Sequence, residues 1–161
     1  MNTSDISGSL TTVFSELING APRGGAYVLN GGDPGLLKSL DKLSAAAASA
    51  TTNGGASVAA HAEHLRYGLS LMNRWSKGEN PWNDADWTAS WKKTRVSDAG
   101  WKELRSQLAE ESHNLLKALG KPRTVDEAEL NGMIGTIVHF AYHAGAIRQI
   151  DRGARGPSAT E

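Results

Sequence analysis

Residues 130–147 contain no Asp, Glu, Lys or Arg. Apolar side chains at Ile134, Ile137, Val138, Phe140 and Ile147 share this stretch with His139 and His143. A run this apolar must be covered, either by lipid or by other protein segments. Its length is near the minimum for a membrane span. Against lipid stand Asn131, Thr136, two histidines, the glycines at 132, 135 and 145, and the lack of a second apolar span to pair with. The stretch therefore predicts the central helix of a helical bundle, and the rest of the chain must supply the helices that cover it.

The sequence supplies them. After Asp33-Pro34, where Asp can cap and Pro can open a helix, Leu36, Leu37, Leu40 and Leu43 recur at three- and four-residue spacing and predict a helix over 34–50. Ser57 is placed to cap a second helix reaching residue 75 or 76, along which Val58, His61, Leu65, Leu69 and Met72 trace one stripe. Ser97-Asp98 opens a third, with Trp101, Leu104, Leu108, Leu115 and Leu119 on its apolar face and Gly120 at its end. Thr124 is expected to cap the fourth, with Asp126 and Glu127 in its first turn, where the helix dipole favours negative charge, and the helix running to about residue 150. Between the second and third helices, residues 77–96 form a long connection holding Trp82, Trp87 and Trp91.

With 161 residues the chain fits one domain able to bury roughly two thirds of its unfolded surface. The expected organisation is an irregular segment over 1–33 with a short helix near Thr12–Ile18 and an extended or irregular piece at 26–29, a bundle over 34–150, and a frayed tail over 151–161. The fold class read from these patterns is all-α: a four-helix bundle with a Trp-rich connection between helices two and three.

Charge and composition narrow the partners. Seventeen basic and seventeen acidic side chains cancel without forming a block, so no footprint for nucleic acid or an anionic membrane is visible, and small molecules or a second copy of the chain are the expected partners. No cysteine is present, so any metal must be held by nitrogen and oxygen. The N-terminus has no basic start followed by an apolar stretch, and the expected location is the cytoplasm.

His139 and His143 lie at i and i+4, one above the other on a helix face, so both imidazoles can address one point. Burying them among aliphatic neighbours costs on the order of a few kcal/mol unless their nitrogens find partners, and a metal ion satisfies both. An open or tetrahedral site needs a third protein ligand, and the other histidines in an apolar helical setting are His61 and His64. The run His-Phe-Ala-Tyr-His lacks a Glu after its first histidine, so the zinc-protease helix with its built-in general base is not present.

Ala62-Glu63-His64-Leu65 on the second helix, Trp101 opening the third, and His139-x-x-x-His143 near the end of the fourth together resemble the DinB-like superfamily of metal-binding four-helix bundles over roughly residues 34–150. The resemblance implies His64, His139 and His143 as ligands of a divalent ion, zinc or nickel. His61, one turn before His64, is an alternative ligand in its place, a neighbour supporting the ligands, or a core residue facing the bundle. The resemblance also implies a homodimer, and it implies a metal-dependent enzyme acting on a small molecule, either a hydrolase or a transferase using a low-molecular-weight thiol. The competing expectations are a non-catalytic metal-binding or stress-response module, and a helical interaction protein whose histidines bind no metal. The tryptophans have a plain reading as packing for the long connection. Their functional reading makes Trp82, Trp87 and Trp91 walls of a pocket over the metal, with Tyr142 as a possible polar handle.

Overall fold

The structure, a computed structural model, describes residues 1–158. Six α-helices follow one another: α1 Ser7–Asn19, α2 Gly35–Asp41, α3 Ala45–Ser49, α4 Val58–Trp75, α5 Asp98–Leu119 and α6 Glu127–Ile150. Short 3-10 turns lie at Pro81–Asn83, Ala89–Trp91 and Arg152–Ala154. Among the described residues there is no strand, and an isolated bridge joins Asn2 to Thr124. The chain is all-helical, as the periodicity predicts.

Side-chain caps fix most helix starts. The Ser57 hydroxyl accepts from the Ala60 N–H and that of Ser97 from the Gly100 N–H, at the positions the sequence indicates. At α6 the cap is Asp126 rather than Thr124. Its carboxylate accepts from the Glu129 N–H while the Glu129 side chain accepts from the Asp126 N–H, a reciprocal capping box. Thr124 is drawn instead into the bridge with Asn2.

The helix predicted over 34–50 is broken in two. α2 ends at Asp41, and Ser44 adopts an extended backbone (φ −71°, ψ 161°) so that its hydroxyl can accept from the Ala47 N–H and begin α3. A serine offering its own oxygen to the backbone competes with continuation of the helix, and here it prevails over the leucine spacing.

The N-terminal 33 residues are more ordered than expected. α1 is longer than the Thr12–Ile18 segment, and its Phe14, Leu17 and Ile18 are buried in the same core as Leu36, Leu40, Leu65, Leu69, Leu104, Leu108, Phe140 and Ile147. Phe14 meets Phe140 edge to face at 5.4 Å. Gly20 and Gly35, both at positive φ, let the end of α1 and the start of α2 touch backbone to backbone: a Cβ at either would lie 2.4 Å from a backbone atom of the other segment. Residues 26–29 are irregular and are held by the buried Glu16 carboxylate, described below.

The tail departs from the frayed expectation over its first part. Asp151 accepts from the Gly153 N–H, Ala154 is fully buried, and Arg155 Nε donates to the Arg148 carbonyl. Residues 159–161 of the predicted tail lie outside the described residues. α1 and α4 each pack against both α5 and α6, which places α6 beside α4 and brings together the two helices that carry the paired histidines. Among the described residues no helix is long and apolar enough to cross a membrane.

Candidate metal centre

His61 and His64 are one turn apart on α4, and His139 and His143 one turn apart on α6. Where the two helices pack, the four rings converge. His64 Nε2 lies 3.1 Å from His139 Nε2, and His139 Nε2 lies 2.9 Å from His143 Nε2. One ligand atom from each of His64, His139 and His143 falls within 4.8 Å of the others. These three residues could hold a metal ion. His61 stands beside them, its Nδ1 2.8 Å from His143 Nδ1.

The hydrogen-bond network fixes what the converging nitrogens carry. The Ser90 hydroxyl donates its single proton to the Trp87 carbonyl at 2.6 Å, so toward His64 Nδ1, at 2.8 Å, it can only accept. His64 therefore carries its proton on Nδ1 and presents a lone pair at Nε2. His139 Nε2 has room for one proton or one lone pair, yet it faces a nitrogen on each side. A lone pair there repels that of His64, and a single proton cannot point at both neighbours. At least one of the two short contacts is left unsatisfied by the protein alone, in a place where unsatisfied polar atoms are costly.

A cation resolves this because it accepts all three lone pairs at once. With metal–nitrogen bonds of about 2.0 Å, ligand atoms at the corners of a tetrahedron are about 3.3 Å apart, close to the two separations at His139, the third being no more than 4.8 Å. The donor set thus fits a divalent ion that favours imidazole.

Burial keeps the rings in the neutral, ligating form. It lowers the pKa of His61 and of His139. It pushes His64 down to about 4, helped by the charges His139 and His61 would carry, and His143 down to about 3, helped by His139, His61 and His64. His64 and His143 are buried and His139 is half-buried.

The long connection between α4 and α5 is a strap fastened along α4. The Asp86 N–H donates to the Tyr67 hydroxyl, Lys93 pairs with Glu63 at 3.1 Å, and Ser57 donates to the Thr94 carbonyl. Glu63 next to His64 is thereby occupied by Arg66 and Lys93; burial opposes its ionisation, but these two cations keep its carboxyl below the ordinary range. The strap delivers two side chains to the site. Ser90 orients His64, and Trp91 stacks on the His64 ring at 4.2 Å while its edge approaches His61 and His143.

Beside the triad lies a cavity of about 400 Å³ lined by Leu65, Gly68, Leu69, Met72, Trp75, Trp82, Trp87, Gly132, Gly135, Thr136, His139 and Phe140. Of the four pocket residues suggested by sequence, Trp82 and Trp87 are in this wall. Trp91 lies over the histidines instead, and Tyr142 is 70% exposed with its ring edge-on to His143 at 5.0 Å. Sequence reasoning missed Ser90, whose role depends on a loop conformation, and it missed the glycines that make the cavity. Gly132 sits where a Cβ would come within 2.3 Å of Trp75, and a Cβ at Gly68 would touch Trp87 at 3.4 Å.

Comparison of the chain with protein-family models, with curated proteins and with solved structures finds no match.

Proposed function

We propose that this chain is a DinB-like four-helix bundle, with α1 in place of the helix expected over 34–50 and α4, α5 and α6 as the other three, in which His64, His139 and His143 hold a divalent ion, zinc or nickel, that serves a metal-dependent reaction on a small molecule. The observation that carries the reading is the convergence of three neutral imidazole nitrogens on one point whose central member, His139, also lines a cavity. Bound there, the ion is a Lewis acid that polarises an oxygen or sulfur placed against it and lowers the pKa of that group. The chain does the rest. Ser90 and His61 hold His64 and His143 in the tautomers that turn Nε2 toward the ion, a task such partners perform in metal sites generally. Trp91 covers the rings from the strap side, and the cavity confines the reacting molecule at the His139 side.

Hydrolysis and transfer to a low-molecular-weight thiol both suit this arrangement. Elemental analysis of the protein as isolated, with His64, His139 and His143 changed one at a time to Ala, tests the site; undiminished metal in all three variants overturns it. Turnover of small esters, amides and thiol-reactive electrophiles, with and without added zinc or nickel and a small thiol, tests the chemistry. A second reading, a metal-binding module without catalysis, is favoured by one observation: among the described residues, His139 is the single titratable side chain in the cavity wall. Absence of metal-dependent turnover across the panel shifts the assignment to it. A homodimer belongs to the same proposal, supported by the exposed apolar stripe Ile134, Val138 and Tyr142 on α6. A sedimentation mass of one chain at micromolar concentration removes it.

A further inference from the structure

The cavity beside the histidines has a composition that selects among small molecules. Its described lining residues carry no charge. Its one hydroxyl, Thr136 Oγ1, is already committed to the Gly132 carbonyl at 2.7 Å. Trp75 and Trp82 meet edge to face at 5.4 Å, and Trp87 packs its ring edge against Gly68. A phosphate ester or another ion entering here would lose the hydration of its charge and meet no opposite charge in the wall. A flat apolar ring would meet aromatic and aliphatic walls that reward its burial. At about 400 Å³ the space is at the small end of ligand cavities, which run from about 300 to 1,000 Å³. The one titratable side chain among the described lining residues is His139, whose Nε2 is 3.1 Å or less from both other triad nitrogens.

Resting on the metal reading above, we propose that the ligand of this site is a small, largely apolar molecule, aromatic by preference, with a single oxygen or sulfur donor group at one end. Its ring occupies the space between Trp75, Trp82 and Trp87, and its donor group is directed past His139 toward the triad.

Two hydroxamates that share a metal-binding group and differ only in the body attached test this directly. Zinc-loaded protein is titrated with benzohydroxamate and with acetohydroxamate, the readout being tryptophan fluorescence and heat. The expected result is that benzohydroxamate binds roughly tenfold tighter or more, the increment that burial of a ring supplies. Gly135→Leu should abolish that preference, because a Cβ at Gly135 meets nothing within 4 Å, so the side chain fits without a backbone clash and occupies cavity space. Trp82→Ala, in a half-exposed wall position, should weaken the preference independently. Both variants should retain zinc stoichiometry, since neither residue belongs to the histidine triad. Equal affinity for the two hydroxamates in a protein that holds zinc overturns the proposal and leaves the metal reading standing. Failure to take up zinc overturns both. If the protein sediments as a dimer and neither hydroxamate reaches the zinc, the cavity is closed by a second copy, and the small-molecule assignment falls.

Discussion

Two buried polar centres of this protein are built on opposite plans. Near the end of α1, the Glu16 carboxylate receives the backbone N–H groups of Tyr27, Val28 and Leu29 at 2.9, 2.7 and 2.6 Å. Burial opposes its ionisation, yet those three donors outweigh it and hold the carboxyl below the ordinary range. Every partner is of the complementary kind, and the result is a pinned loop. Between α4 and α6, nitrogen faces nitrogen, and no distribution of protons satisfies His64, His139 and His143 together. A buried group matched by its surroundings is explained by the fold. A buried cluster of like groups is not matched by its surroundings, and these three histidines could hold a metal ion.

The largest test of that contrast is metal itself. Zinc at a thousand times its dissociation constant should stabilise the protein by about 4 kcal/mol, a rise in Tm of about 8 to 16 °C for a chain of this size. EDTA should reverse the rise, and His139→Ala should remove it. An unchanged Tm in both proteins would show that the histidine cluster is as self-sufficient as Glu16. The two centres should also titrate in different windows. Unfolded imidazoles protonate near 6.5, whereas His64 and His143 in the fold resist until about 4 and about 3, so acid favours the unfolded chain. Stability of the metal-free protein should be full above 6.5 and decline as pH falls below it. The Glu16 contribution is present above the ordinary carboxylate range and is lost only at lower pH, as the carboxyl protonates through its depressed folded value. Urea midpoints measured between pH 7 and 5 should therefore fall in the wild type and fall less steeply in His143→Ala, where His64 still resists protonation.

Glu16→Ala comes next. Stripping three N–H groups of their acceptor should cost about 3 kcal/mol with zinc content unchanged, and Glu16→Gln, which keeps an acceptor, should cost less. A loss of zinc in Glu16→Ala would show that the two centres are coupled. Smaller again, Ser90→Ala should lower zinc affinity roughly tenfold to a hundredfold by freeing the His64 ring, without altering the fold as read by circular dichroism. Smallest is Asp126→Ala, which removes a cap distant from both centres and should cost about 1 kcal/mol while leaving zinc affinity intact.

The sequence made the long helices legible because their ends carry local chemistry: Ser57, Ser97 and Gly120 signal boundaries that the structure places within a residue or so. It was less informative where two local signals compete. The leucines of 36–43 argue for continuation and Ser44 for a new start, and only the folded context decides. The capping of α6 turned on Glu129, three residues beyond Asp126, a pairing visible in the sequence but outweighed there by the more familiar Thr124. Segments at the two ends were underestimated because their order comes from distant contacts, Phe14 against Phe140 and Asn30 against the Pro157 carbonyl. At the site, the i and i+4 spacing of His139 and His143 was readable from helix geometry alone, and the placement of His64 with them and His61 beside them follows from how α4 meets α6. Ser90 was not readable, since nothing in Trp87-Thr88-Ala89-Ser90 announces that its hydroxyl ends up against an imidazole.

Trp87 belongs to two structures at once. Its ring is cavity wall, and its carbonyl anchors the Ser90 hydroxyl that orients His64. Were a guest in the cavity to move that carbonyl as well as the indole, occupancy of the cavity and grip on an ion at the triad would be thermodynamically linked. Linkage is symmetrical: whatever factor the guest adds to or subtracts from metal affinity, the metal returns to the guest. A protein wired in this way would report the presence of either by the tightness with which it holds the other.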